Sequence, residues 1–383
     1  MASISAPRVV ADGRLLAPGW VEVASGRVVE VGEGDTAADV SLPEGVLVPG
    51  LVDLQVNGFF GIDFIDATPE QWDDVARRLP ETGVTGFVPT FITAPVDELA
   101  EGLRRARAAM DAQDRAAARI LGVHTEGPFL SDRRRGAHNP AYLCDPTPAA
   151  GATLLEAAPG TLVLVTLAPE RLGALEAIRR LVDAGVLVSV GHTDAVAEQV
   201  AAAADAGARM VTHLFNAQRP LHHREPGTPG QALVDARLTC GLIVDLHHVA
   251  AKVCRLAFAA ASGRVALVTD AVAAAGMPPG RYILGGEPVI LEPGRPPLRE
   301  DGTIAGSGLR LDEAVANAVA VGVDLVTAVD AATRVPADLL GRHDFGRLQP
   351  GSLADLVWLD DDLRTRATWV GGELVHGGSE VAA

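Results

Sequence analysis

Four short, mostly apolar runs in this chain each end on one ionisable side chain. Residues 120–123 lead into His124, Thr125 and Glu126, and residues 186–191 lead into His192. Residues 209–212 lead into His213, and residues 265–269 into Asp270. Runs of this length, bounded by turn residues, read as strands buried on both faces. Burying a charge at the same end of four such strands is costly, because each group gives up its hydration. A parallel β/α barrel makes use of that cost, since its chemistry sits at the carboxyl ends of its strands.

The rest of the chain supports a barrel. Strand-like runs at 47–55, 84–89, 120–123, 162–166, 187–190, 210–212, 242–244 and 265–269 alternate with alanine-rich helical segments. That rhythm belongs to a parallel sheet with covering helices, and the count fits an eight-stranded β/α (TIM-type) barrel. A doubly wound sheet is the alternative, but no Gly-rich nucleotide loop follows any strand. Helix starts are legible: Thr68-Pro69-Glu70-Gln71 carries an N-cap, a proline at N1 and Gln at N3. Asp194 is the expected N-cap of a helix running to Ala206, with Gly207 ending it.

Both ends have a different texture. Residues 19–23 and 26–31 alternate apolar and polar side chains across Ser25-Gly26. At the far end, 356–359, 367–370 and 373–375 are strand-like, with Gly371-Gly372 as a hairpin turn. Neither end can build a core alone, so residues 1–48 and 345–383 are expected to form one small β-sandwich domain. Residues 49–344 then make the barrel, with a β-ribbon insertion near 281–304.

Composition narrows the partners. The charge is 32 − 49 = −17, which argues against nucleic acid and anionic membrane. An anionic substrate would need a local cluster of Arg or His. The most apolar long stretch, 314–332, is interrupted by Asn317, Gly322, Asp324 and Asp330, so it reads as a buried helix and the loop after it, not a membrane span. Cys144, Cys240 and Cys254 lack metal-type spacing, and residues 1–8 carry no basic-then-apolar signal. Reduced thiols and a cytoplasmic location are the expectation.

One histidine at a strand end is ordinarily a hydrogen-bonded core residue. Two histidines, a glutamate and an aspartate on four strands are harder to explain that way. Glu126, His192 and His213 supply one carboxylate and two imidazoles, the ligand set of a catalytic zinc or similar ion with a position left open for water. Asp270 is then free to act as general base and acid.

With these residues goes a resemblance. The segments 49–58, His124–Phe129, 136–140, 191–193, 212–217, 224–227 and 269–271 are similar, in order, to those of the amidohydrolase superfamily and, within it, the N-acetylglucosamine-6-phosphate deacetylases. The similarity extends over essentially the whole chain. It implies hydrolysis of the acetamide of an N-acetylated amino-sugar 6-phosphate. It also implies substrate contacts from Ala137 and His138, a phosphate end made by Asn216, Ala217, Arg224 and His248, and a lining loop at Ala305, Gly306 and Ser307. Arg224 resembles an arginine that reaches into a neighbouring subunit's site, which implies a homodimer or larger homo-oligomer.

Two departures matter. Many superfamily members carry His-x-His on the first strand and bind two metals; here those places are Gln55 and Asn57, amides that ligate transition metals poorly. One divalent ion per chain is therefore expected, zinc ahead of iron, manganese or cobalt, with Gln55 and Asn57 as vestigial second-metal positions. The family often has Gly where Leu246 stands, which leaves the substrate contact open between His247 and His248. Rival readings are a cyclic-amide hydrolase, a deaminase, or a barrel scaffold without chemistry. The cyclic-amide hydrolases commonly use a carboxylated lysine at a strand end, whereas Lys252, the chain's one lysine, follows His248 at a helix start. A scaffold has no use for four buried ionisable groups.

Overall fold

A computed structural model describes residues 2–378 of the chain. Eight parallel strands dominate it: β1 (Leu51–Val56), β2 (Val84–Ile92), β3 (Val123–Glu126), β4 (Leu162–Leu167), β5 (Leu187–Val190), β6 (Met210–Val211), β7 (Thr239–Leu242) and β8 (Val265–Leu267). Each strand pairs with the next. The ring closes where the tail of β8 meets β1: Asn57 N donates to Ala271 O at 2.8 Å, and Asp270 N to Gln55 O at 3.0 Å. This is a TIM-type barrel.

A helix follows every strand: α1 (Pro69–Arg78), α2 (Val96–Ala112), α3 (Pro148–Ala157), α4 (Ala174–Asp183), α5 (Ala197–Ala206), α6 (Gly227–Val234), α7 (Ala251–Ala260) and α8 (Leu311–Ala320). The first helix begins with a complete capping box. Gln71 N donates to Thr68 Oγ1, and Thr68 N donates to Gln71 Oε1 at 2.9 Å, worth about 1 kcal/mol. Its Trp72, Val75 and Ala76 are buried against the barrel.

The chain ends form two further sheets. One holds Arg27–Glu33, Gly19–Ala24, Ala2–Ala6 and Val40–Ser41; the other runs from Glu373–His376 through Thr365–Val370, Leu356–Leu359 and Val46–Pro49 to Val9–Ala11 and Arg14–Leu16. Ile4, Val9, Val21, Leu47, Leu356 and Trp358 fill the space between them. Gly371 and Gly372 take φ of 58° and 80°, the left-handed pair a two-residue hairpin needs.

Several local expectations are corrected. The run 47–55 is two strands in two sheets, split at Gly50, where a Cβ would stand 2.1 Å from Thr85 Oγ1. The third barrel strand is Val123–Glu126, not 120–123, so His124 and Glu126 lie inside the strand. The seventh is Thr239–Leu242, not 242–244, because Cys240 and Leu242 take the ladder positions beside β8. Asp194 does not cap α5, which begins at Ala197; its carboxylate is held by arginines instead. The apolar stretch 314–332 is two helices, broken at Gly322 (φ 97°) and restarted by Asp324, whose side chain accepts from Thr327 N. Among the described residues no helix is long and apolar enough to cross a membrane.

Residues Gly280–Leu284 and Glu287–Leu291 make an antiparallel ribbon with Gly285-Gly286 at its tip. It belongs to the long loop between β8 and α8. That loop, with those after β3 and β6, surrounds the carboxyl end of the barrel.

Candidate active site

Three of those carboxyl ends converge on one point. Glu126 Oε1 lies 3.0 Å from His213 Nε2 and 3.2 Å from His192 Nε2, and the two imidazole nitrogens are 3.0 Å apart. All three side chains are buried, with their ligand atoms within 4.8 Å of one another. His192 and His213 each stand two residues beyond their strand with φ of 45° and 28°, and Asp270 follows β8 with φ of 51°. Left-handed backbone in non-glycine residues costs of order 1–3 kcal/mol each. Here it ends each ladder and turns the side chain over the barrel mouth.

The donor set fits a divalent metal ion. His192 Nδ1–H donates to Arg134 O at 2.9 Å, which leaves the Nε2 lone pair facing the cluster. Burial would raise the Glu126 carboxyl, yet His192 and His213 hold it well below the ordinary carboxylate range. Burial also opposes a charge on His213, but the hydrogen bond and charge of Glu126 outweigh it and raise that imidazole to about 9. The cluster is thus built to hold positive charge at a buried point, which a cation supplies better than protons. His124, in the same strand, is no part of it. Its two nitrogens meet Thr90 Oγ1 at 3.1 Å and Thr166 Oγ1 at 2.7 Å, and burial lowers it to about 4, so it stays neutral inside the barrel.

Asp270 stands beside the cluster and is held by the two amides. Asn57 Nδ2 donates to Asp270 Oδ1 at 2.7 Å and Gln55 Nε2 at 3.0 Å; Gln55 Nε2 also reaches Glu126 Oε1 at 3.2 Å. Burial, followed by the charge of Glu126, raises the Asp270 carboxyl to about 6. Gln55 and Asn57 therefore aim the carboxylate. Beneath them Asp53, which no sequence argument singled out, accepts from Thr269 Oγ1 at 2.6 Å and from Thr269 N at 3.2 Å, fixing β1 to the segment that delivers Asp270.

These groups open into a cavity of about 390 Å³. Ala137, His138, Asn216, Ala217, His248 and Gly306 line it. Thr93 N donates to His138 Nδ1 at 3.3 Å, so the neutral ring carries its proton on Nε2, 3.8 Å from Glu126 Oε2. Burial, then the neighbouring His192, keeps that ring well below its usual value, hence uncharged. His248 faces the cavity and His247 does not; His248 Nδ1 is tied to Asp245 Oδ2 at 2.6 Å. Leu246 has φ of 64°, a backbone that glycine adopts without strain.

Three expected contacts lie elsewhere. Ala305 and Ser307 are buried behind the wall, and Ser307 Oγ donates to Thr269 O at 2.5 Å. Arg224 is exposed on the loop after β6 and does not line this chain's cavity; its N–H meets His222 Nδ1 at 3.3 Å. Conversely, Ile92, Leu284 and Ile304 line the cavity without having been singled out; so do Arg133 and Arg134, from the loop rich in Arg and His that follows Glu126, a composition that suits a metal or catalytic site. Of these only the arginines carried a sequence signal, the run Arg133–Arg135.

Comparison with known proteins agrees with this geometry. The profile of the amidohydrolase family matches residues 46–375. An N-acetylgalactosamine-6-phosphate deacetylase of Escherichia coli O157:H7 is 37% identical over 365 residues, 93% of this chain and 96% of that one. The N-acetylglucosamine-6-phosphate deacetylase of Vibrio furnissii is also 37% identical, over 91% of this chain and 87% of its own. Among solved structures, a mutant N-acetyl-D-glucosamine-6-phosphate deacetylase of Mycobacterium smegmatis in complex with N-acetyl-D-glucosamine-6-phosphate superposes with a TM-score of 0.93. It is 39% identical, covering 98% of this chain and 99% of that one.

Proposed function

The chain belongs to the amidohydrolase family, and on that premise we propose that it hydrolyses the acetamide of N-acetyl-D-glucosamine 6-phosphate to acetate and D-glucosamine 6-phosphate. One observation carries the proposal: the Asp270 carboxylate, aimed by Gln55 and Asn57, beside the Glu126–His192–His213 cluster inside one cavity. Relatives and the M. smegmatis complex support the substrate class. The E. coli relative makes the galacto epimer the second reading, and the two epimers belong in the same assay.

The family is metal-dependent, and Glu126, His192 and His213 would hold one divalent ion per chain, zinc ahead of iron, manganese or cobalt. When bound, such an ion polarises the amide carbonyl and lowers the pKa of water. Asp270, ionised, takes a proton from the water that attacks the carbonyl carbon. As the new C–O bond forms and the C–N bond breaks, Asp270 returns that proton to the departing nitrogen, which leaves as a neutral amine. His138 donates through Nε2–H to the amide or a sugar hydroxyl. Asn216, Ala217 and His248 face the phosphoryl group, Arg224 reaches it from a neighbouring subunit, and Ala305, Gly306 and Ser307 shape the adjoining loop. The companion β domain takes in residues 1–48 and 345–383, of which residues 1 and 379–383 lie outside the described ones, beside the barrel at 49–344. A cytoplasmic location suits a substrate of amino-sugar metabolism.

The decisive measurement is acetate release from N-acetylglucosamine 6-phosphate, with elemental analysis of protein purified without added metal. One ion per chain and loss of activity with a chelator are the expected results. Two tightly bound ions would refute the one-metal reading, and no acetate release would refute the function.

Arg224 extends the proposal to assembly. Exposed and outside this chain's cavity, it suits a homodimer or larger homo-oligomer in which it serves the neighbouring site. Mixed Arg224→Ala and Asp270→Asn subunits should then regain activity that neither variant has alone. No regain after verified subunit exchange would assign Arg224 to its own chain.

A further inference from the structure

The cavity wall carries positive charge that the chemistry above leaves without a task. Arg133 and Arg134, on the loop after β3, line the cavity that contains Asp270 and the Glu126–His192–His213 cluster. Their backbone is fixed to that cluster. Arg134 O accepts from His192 Nδ1–H, and Ser131 N donates to His192 O at 2.9 Å. Two residues on, a Cβ at Gly136 would stand 3.2 Å from His192 Cε1 and 3.9 Å from Ala217 Cβ. The loop therefore packs against the Asn216-Ala217 segment, at the end of the cavity assigned to the phosphoryl group.

Arginines outnumber the carboxylate they share there. Asp194 receives Arg134 Nε at 2.9 Å, Arg133 Nη1 at 3.4 Å and Arg219 Nη2 at 2.9 Å, so three guanidiniums share one carboxylate. Glu170 accepts from the uncharged donors Thr193 Oγ1 and Asp194 N, and Glu225 accepts from Ala197 N and Gly227 N, bonds that keep it ionised with help from the charge of Arg219. Three arginines gathered at one carboxylate stand out in a protein whose net charge is −17. Arg133 is the arginine most free to leave Asp194. Its contact is the longest of the three, and its side chain is 81% exposed, so breaking that pair costs little.

We propose that Arg133, backed by Arg134, binds the phosphoryl group of the substrate from within the same chain. A guanidinium offers two parallel N–H donors to phosphate oxygens, and its charge supplies the local attraction that an acidic protein lacks. Arg134 stays on Asp194 and keeps the loop in place, while Arg133 closes over the anion. This rests on the deacetylase reading and adds a specificity determinant to it, separate from Arg224.

The test uses the full-length metal-loaded enzyme and two substrates, N-acetylglucosamine with and without its 6-phosphate. In Arg133→Gln, KM for the phosphorylated sugar should rise about tenfold at low salt, the effect of one charge-assisted contact at a partly exposed site, while kcat stays within about twofold. The ratio of kcat/KM for the phosphorylated over the plain sugar should fall by the same factor. Arg133→Lys should recover part of it, and the difference from the parent enzyme should shrink at high salt. An unchanged KM, or equal losses on both sugars, would overturn the clamp while leaving the deacetylase reading intact. A parent enzyme that releases no acetate from the phosphorylated sugar would overturn both.

Discussion

Asp270→Asn is expected to leave the fold and the metal content intact and to reduce turnover by at least roughly 10²–10⁴-fold, the range typical of general acid–base catalysis. Asn has the shape of Asp, and its oxygen can still accept from Gln55 Nε2 and Asn57 Nδ2, which now meet Asp270 Oδ1 at 3.0 and 2.7 Å. It cannot take a proton from water or return one to the amine. The pH profile separates this from a packing defect. Burial and the charge of Glu126 raise the Asp270 carboxyl to about 6, and the base works only when ionised. In the parent enzyme kcat/KM should therefore fall about tenfold per unit below pH ~6, and the residual activity of the variant should lack that limb. Stability gives a second check. A folded-state value above the ordinary 3.8 means that folding disfavours the ionised form at neutral pH. Removing the charge should leave Tm unchanged or higher. Near-normal turnover in the variant would assign the base to another residue.

How much of this was legible in the sequence follows from where the information lies. The barrel was readable because strands buried on both faces are continuous apolar runs, as in β2, β4 and β5, and helices between them start with local signals such as Thr68 and Gln71. Glu126, His192, His213 and Asp270 stood out because each breaks such a run. Strand ends were misjudged for the same reason: His124, Thr125 and Glu126 are polar yet fully buried strand residues. Relations between distant segments left no local trace. That Gln55 and Asn57 hold a carboxylate more than two hundred positions away requires β1 to lie beside the tail of β8. Asp194 looked like a helix cap because its sequence context is that of one; the arginines at 133, 134 and 219 that claim it come from two other loops. Leu284 and Ile304 reach the cavity only because the ribbon folds back over it.

Glu126→Gln is expected to do what Asp270→Asn does not, namely empty the metal site. Glu126 is the only carboxylate among the three proposed ligands, and an amide of the same shape is a poor substitute for it. Disturbing a partner of a ligand typically costs roughly 10–100-fold in metal affinity or activity, so losing the ligand itself should cost more. Elemental analysis after dialysis should find metal content near zero, with acetate release falling in parallel. The metal-free proteins offer an independent readout. In the parent chain Glu126, 3.0 Å from His213 Nε2, raises that imidazole to about 9 against the cost of burial. That pair contributes stability that is fully present below the ordinary histidine value of 6.5 and is lost as pH rises through about 9. Without the carboxylate, only the charge of Asp270 and a backbone hydrogen bond still oppose burial, and His213 should lose its proton at a lower pH than in the parent. Imidazole titration by NMR and melting curves across pH 6–10 should both show the change. A variant that kept one tightly bound ion, or whose His213 titrated as in the parent, would remove Glu126 from the ligand set. Metal retained in Asp270→Asn and lost in Glu126→Gln would instead divide the two carboxylates by task, one moving protons and one holding the cation.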